Sequence, residues 1–290
     1  MQLTIDNQHL TYYPPKTQLL KWVGNKQKFA VEITKHFPVS FNKYHEPFLG
    51  SGAILATVVP SSGIGSDVFK PLVDIWKKLK NDPKGLVKWY AERTDRLKLE
   101  DKKVVYENVK ASYNENPNGA DFLFLSRACY GGVIRFRKSD GYMSTPCGVH
   151  NPIPSIKFEK RVVEWHNRLK NVEFKCIDYT EAFDMAKEND FIYCDPPYSH
   201  SQSILYGAQD FSLIELFNKI KEAKHRGVKV ALSIDGKKKS GNLICDLPIP
   251  DGLFEQELLI NCGISMLKRF QMEGQKLSEE DVSDRLLLTY

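Results

Sequence analysis

Asp195-Pro196-Pro197-Tyr198 follows directly on the apolar run Phe191-Ile192-Tyr193-Cys194. Consecutive prolines fix φ and give no N–H to a sheet ladder, so a strand ending here must leave its sheet along a rigid path. The Asp195 carboxylate and the Pro196 carbonyl then form a preset pair of acceptors. They suit the two hydrogens of an aromatic amine, drawing its lone pair out of conjugation with the ring. Tyr198 offers a face on which that ring can rest, as bases do when extruded from a duplex. On its own the motif also describes a capped turn with a core tyrosine, and its neighbours in the sequence decide between the two.

Gly50 and Gly52 in EPFLGSGAIL stand after a predicted strand and before a predicted helix, where missing side chains let a ligand approach backbone N–H groups. A dinucleotide fingerprint would place a third glycine at Leu55, and none is there. Asp67 ends the next strand-like stretch, fifteen residues beyond Gly52, where a carboxylate could accept both ribose hydroxyls. A nucleoside without a diphosphate fits better than a nicotinamide dinucleotide, which argues against an oxidoreductase. The alternative for Asp67 is a helix cap. Upstream, Trp22 and Lys26 in LLKWVGNKQK share a face if helical. They read either as a buried indole beside a snorkelling lysine, or as a lid whose lysine pairs with a ligand carboxylate.

These residues need a frame. KYHEPFLG, VEFKCID, DFIYCDPPY and GVKVALSID read as buried strands. Helical patterns span Leu19–Phe37, Ala53–Val58, Lys70–Leu79, Thr180–Lys187 and Phe211–His225. The alternation predicts an α/β fold with a mostly parallel sheet covered on both faces, and ligands bind such sheets beyond the strand carboxyl ends. Phe48, Asp178 and Asp195 fall at those ends. The middle of the chain differs: helical stretches over Lys84–Lys98, Lys102–Glu115 and Ala120–Tyr130 precede a hairpin signal at Asp140-Gly141. The predicted division is therefore residues 1–70 and 159–290 for the sheet domain and 71–158 for an insert.

Charge follows the same division. The chain has 290 residues and a formal charge of +5 from 41 basic and 36 acidic residues. Residues 71–158 hold 16 Lys/Arg against 10 Asp/Glu, leaving 25 against 26 elsewhere, so the insert carries the whole excess. Such asymmetry suits a polyanion. Arg127, Arg135, Arg137 and Lys138 lie in a stretch without an acid between Phe122 and Ser139, and phosphate contacts there would fall with salt. Lys157, Lys160 and Arg161 read as a solvated helix face. No stretch approaches the roughly 18 apolar residues of a membrane span, and no signal peptide is evident, so a cytoplasmic enzyme without membrane contact is expected. Six scattered cysteines with no C-x-x-C pair signal neither a disulfide framework nor a zinc site.

The ordered set KWVGNK, EPFLGSGA, GSD, an insert and CDPPY, closing on DRLLLTY, resembles the Dam-like, alpha-group, D-P-P-Y adenine-specific DNA methyltransferases. That resemblance implies a Rossmann-like methyltransferase sheet with an inserted helical target-recognition domain carrying a β-hairpin. It implies S-adenosylmethionine as methyl donor, with Trp22, Lys26, Phe48, Gly50, Gly52, Asp67, Asp178 and Asp195 around it and no metal. Asp195, Pro196, Pro197 and Tyr198 would hold a flipped adenine for methylation at N-6, while Arg127, Tyr130, Arg135, Arg137 and Lys138 would contact double-stranded DNA. A cognate restriction endonuclease and a monomer or weak dimer are the further expectations. The stretch Tyr130-Gly131-Gly132, where the family commonly has an asparagine, has none, so no target site follows from the likeness.

Thr145-Pro146-Cys147 contains the Pro-Cys pair of cytosine-ring methyltransferases but lacks the glutamine that follows it there, so Cys147 reads as a loop cysteine. Cytosine N-4 methylation uses the same clamp but usually opens it with serine. RNA or protein amide methylation would place asparagine at 195. A DNA-binding homologue without activity would not need Asp195, Pro196, Tyr198 and Gly50 intact.

Overall fold

The computed structural model describes residues 5–6, 9–10, 12–197, 211–238, 247–261 and 282–290. Tyr198, Lys239, Cys245 and Cys262 lie outside the described residues. A short antiparallel ladder pairs β1 (Ile5–Asp6) with β2 (His9–Leu10). Among the described residues the main sheet has seven strands: β3 (Tyr44–Glu46), β4 (Gly63–Asp67), β5 (Val172–Cys176), β6 (Phe191–Cys194), β7 (Lys229–Lys238), β8 (Gln256–Asn261) and β9 (Val282–Leu288). Their order is β5-β4-β3-β6-β7-β9-β8. The pairings from β5 to β7 are parallel, and β9 runs antiparallel between β7 and β8.

Helices α1 (Ala30–Thr34) and α2 (Ala53–Val58) precede β4, α8 (Tyr179–Met185) joins β5 to β6, and α9 (Leu213–His225) joins β6 to β7. β6 shows why its sequence reads as an unbroken apolar run. Phe191 and Tyr193 point into one hydrophobic core and Ile192 and Cys194 into the other, all of them buried. A strand covered on both faces loses the polar half of its alternation.

Between β4 and β5 the chain forms α3 (Lys70–Asn81), α4 (Pro83–Thr94), α5 (Lys102–Glu115), α6 (Gly119–Ala128) and α7 (Ser155–Leu169). Asp82, Asp101 and Asn118 cap α4, α5 and α6 with side-chain oxygens, which is why these helices begin where they do. Trp76 of α3 stacks on Phe174 of β5 at 5.9 Å and lies 5.7 Å from Trp165 of α7. The core thus runs from the sheet into the insert without a break. After α6 the chain forms a ribbon of isolated bridges, Cys129 with Cys147 and Phe136 with Met143. It turns at Gly141, whose φ of +68° is the left-handed conformation glycine adopts without a Cβ clash.

One expected helix is absent. Leu19–Phe37 holds only a single 3₁₀ turn at Lys26–Lys28 and the five-residue α1. Gly24 takes a φ of +75° and interrupts the pattern, so Trp22 and Lys26 are not neighbours on a helix face. They meet through the fold instead. Among the described residues no helix is long and apolar enough to cross a membrane.

Candidate active site

A cavity of about 300 Å³ opens at the carboxyl ends of β3, β4, β5 and β6. It sits where the sheet order reverses, with β4 and β5 on one side of β3 and β6 and β7 on the other, and a crevice forms at such a point. Trp22, Lys26, Phe48, Gly50, Asp67, Asp178, Asp195, Pro196 and Pro197 all line it. Gly52 does not. It starts α2 at a φ of +60°, and a Cβ there would come within 3.0 Å of Trp76, so this glycine serves helix packing rather than the cavity wall.

Gly50 is the close-approach position. Its φ is +44°, and a Cβ would stand 2.8 Å from Nε1 of Trp22. Its N–H donates to Asp67 Oδ2 at 3.2 Å, while Asp67 Oδ1 accepts the Phe69 N–H at 3.0 Å. Burial pushes the Asp67 carboxyl up to about 6, against those N–H donors. Asp67 is therefore both a turn anchor and a cavity acid. Asp178 caps α8, its Oδ1 accepting from the N–H and hydroxyl of Thr180. Phe48 stacks on Tyr179 with centroids 5.2 Å apart, and Phe211 meets Phe48 edge-on at 5.8 Å. Together these rings give the cavity an aromatic wall.

Asp195 stands at the end of β6 with Lys26 Nζ 3.1 Å from its Oδ1, and the same ammonium lies 2.9 Å from Asp284 Oδ2 on β9. Lys26 is only 6% exposed. Burial alone would favour its neutral form, but the Asp195 and Asp284 carboxylates outweigh that and hold its pKa above the usual lysine value. This corrects the expectation of a lid lysine facing a ligand carboxylate, because two protein carboxylates engage its ammonium. Glu46, at the end of β3 and also in the wall, accepts a 2.7 Å hydrogen bond from the Tyr44 hydroxyl. Burial pushes Glu46 up to about 8, against the Tyr44 bond and with the Asp195 charge adding to the shift, so it carries a proton at neutral pH.

The basic residues of the insert divide. Tyr130, Arg135, Arg137 and Lys138 are exposed. Arg137 forks onto Asp140 at 3.1 and 2.8 Å and lies over the Tyr142 ring at 4.2 Å, which fixes its plane. Arg127 departs from its expected place on an outer surface. Its guanidinium turns inward, donates to the Gln18 and Leu19 carbonyls and lies 5.5 Å from the Phe158 ring. Burial pushes it down to about 10. Arg161, expected on a solvated face, also donates to the Gln18 carbonyl. The two arginines fasten the segment before Trp22 to α6 and α7.

Glu46, Tyr179, Phe211 and Asp284 are among the site residues that sequence reasoning missed. Glu46 lies inside the predicted strand KYHEPFLG, two residues before the Phe48 assigned to its end, and an acid in a strand expected to be buried was a usable signal. Asp284 had none, since nothing local tells that β9 lies beside β7.

The seven-strand order, with β9 reversed between β7 and β8, is consistent with the sheet of an S-adenosylmethionine-dependent methyltransferase. Residues 22–252 match the D12 class N6 adenine-specific DNA methyltransferases, and the chain belongs to that family. It is 30% identical over 240 residues to the type II methyltransferase M.MjaIII of Methanocaldococcus jannaschii, covering 74% of this chain and 82% of that one. The retron Ec67 DNA adenine methylase of Escherichia coli is 29% identical over 187 residues, covering 62% of this chain and 63% of that protein. A DNA adenine methylase of Vibrio cholerae is 25% identical over 231 residues, with 74% and 79% covered.

Proposed function

We propose that this chain methylates the exocyclic N-6 amine of an adenine within a specific duplex DNA site, after the base is extruded from the helix into the cavity. The observation that carries the reading is Asp195, followed by two prolines, in the wall of a cavity also lined by aromatic rings and glycine backbone.

The cavity fits S-adenosylmethionine by the chemistry of its walls. Gly50 offers close backbone approach under Trp22, Asp67 offers a carboxylate to ribose hydroxyls, and Phe48, Tyr179 and Phe211 offer ring faces near Asp178. The donor, when bound, supplies a methyl group on a sulfonium, already activated for in-line displacement. The protein adds alignment and a place for charge. Asp195 and the Pro196 carbonyl accept the amine hydrogens, and Asp195 is complementary to positive charge developing on nitrogen. Lys26 fixes the Asp195 carboxylate through Oδ1. Glu46, held neutral, adds no second negative charge beside it at pH 7. Tyr198, outside the described residues, takes its proposed role beneath the flipped base from the resemblance alone.

Residues 71–158 are proposed as the target-recognition segment, with Tyr130, Arg135, Arg137 and Lys138 at the DNA. The type II name of the Methanocaldococcus jannaschii relative supports a companion endonuclease acting at the same site.

The test is Asp195→Ala. Methyl transfer to a duplex substrate should be abolished, while donor binding measured by calorimetry survives in part. Near-normal turnover would sink the mechanism. Single-molecule sequencing of plasmid from a methylation-free host expressing the wild-type chain reports both the base and the site.

A further inference from the structure

The base of the ribbon is closed by two cysteines that methyl transfer does not use. Cys129, the C-cap of α6, and Cys147, on the returning strand, are direct partners in an antiparallel bridge. On one side of them the Tyr130 N–H donates to the Pro146 carbonyl at 2.9 Å, and on the other the Gly148 N–H donates to the Ala128 carbonyl at 2.8 Å. This pattern marks a non-hydrogen-bonded pair, in which Cα atoms come to about 4.5 Å and the side chains share a face. That spacing falls inside the disulfide window of about 4.4–6.8 Å. The two strands press closely at this point, since a Cβ on Gly148 would stand 2.6 Å from the Cys129 carbonyl oxygen. Neither cysteine lines the cavity, and both are free thiols.

We propose that Cys129 and Cys147 form a dithiol–disulfide site that covalently closes the base of the ribbon spanning Tyr130–Pro146. Cys147 is the entry point because it is partly exposed, whereas Cys129 is 5% exposed. The Cys147 thiolate attacks a small-molecule disulfide such as oxidised glutathione, forming a mixed disulfide and releasing one thiol. Cys129 then loses its proton to solvent, and its sulfur attacks that of Cys147 and expels the second thiol. The two protein thiols are oxidised and the glutathione disulfide is reduced to two thiols, which take up the two protons. Burial pushes Cys129 up to about 12, with Cys147 adding to the shift, and burial also raises Cys147. Closure is therefore slow at neutral pH and faster in alkali, where thiolate is more abundant.

The test uses the full chain incubated with oxidised glutathione at mildly alkaline pH. The expected product is lighter than the thiol-reduced protein by two hydrogens and yields a proteolytic peptide joining Cys129 to Cys147. Cys129→Ser should stop at a glutathione adduct on Cys147, and Cys147→Ser should give neither product at this pair. Hydrogen exchange supplies the structural readout, since the amides of Arg137 and Ser144, which bond across the ribbon, should exchange more slowly in the closed form. A wild-type protein that stays reduced, halts at the Cys147 adduct, or links either cysteine elsewhere would overturn the site. Unchanged exchange in the linked form would overturn its action on the ribbon. None of these outcomes depends on the methyl-transfer reading.

Discussion

Asp284 on β9 holds its Oδ2 2.9 Å from the ammonium of Lys26, across 258 positions of sequence. Lys26 in turn reaches Asp195, so the carboxylate proposed to receive the amine is held by a cation that is itself held from β9, two strands away in the sheet.

Lys26→Met removes the cation and leaves Asp195 and Asp284 partly buried without it. Breaking such a pair costs roughly 3–5 kcal/mol of stability, and single-turnover methylation should fall about 100-fold, as when a charge-positioning group is lost. Asp284→Asn keeps a hydrogen-bond acceptor for Lys26, so it should slow turnover less and lower the melting temperature less. Equal rates for the two variants in a quenched-flow assay would refute the relay.

Glu46 gives a pH signature. Burial pushes its carboxyl from the ordinary glutamate value of 4.5 up to about 8 in the folded protein, so between those values the folded state binds more protons than the unfolded one. Stability from this group is fully present below about 4.5 and is lost as pH rises through 8, by a few kcal/mol in order of magnitude. Glu46→Gln should flatten that decline in denaturant titrations run at successive pH values, so that the variant gains on wild type as pH rises.

Gly50 and Gly52 look alike in the sequence but should respond differently. Gly50→Ala puts a methyl group 2.8 Å from Trp22 at the cavity wall, and donor affinity by calorimetry should weaken tenfold or more, about 1.4 kcal/mol. Gly52→Ala presses on Trp76 in the core, so thermal stability should fall while the folded fraction still binds donor.

Arg135 and Arg127 should separate in the same way. Arg135→Ala should weaken duplex binding and lower the slope of log affinity against log salt by about one unit. Arg127→Ala should leave that slope unchanged and destabilise the fold by roughly 2–3 kcal/mol through lost charged hydrogen bonds to Gln18 and Leu19.

Where local residues determine the outcome, the sequence was informative. The Phe191–Cys194 run, the Ala53–Val58 helix and the cavity position of Asp195 follow from apolar patterning and from what proline forbids. Positions that depend on distant partners were not legible. Leu19–Phe37 has helical spacing, but Gly24 and the carbonyl bonds from Arg127 and Arg161 hold its first part in an irregular path. Arg127 lies in a basic stretch, and only the placement of Gln18 and Leu19 turns it inward. Asp284 could not be assigned without knowing which strand flanks β7.

β9 enters the sheet between two strands that precede it in the chain. During synthesis, β7 and β8 leave the ribosome as neighbours without their shared partner, and Lys26 has no Asp284 until residues beyond 280 emerge. A nascent polypeptide from which β9 has not yet emerged therefore lacks the second carboxylate on Lys26, and the chain of charges from Asp195 through Lys26 to Asp284 is completed only when that strand joins the sheet.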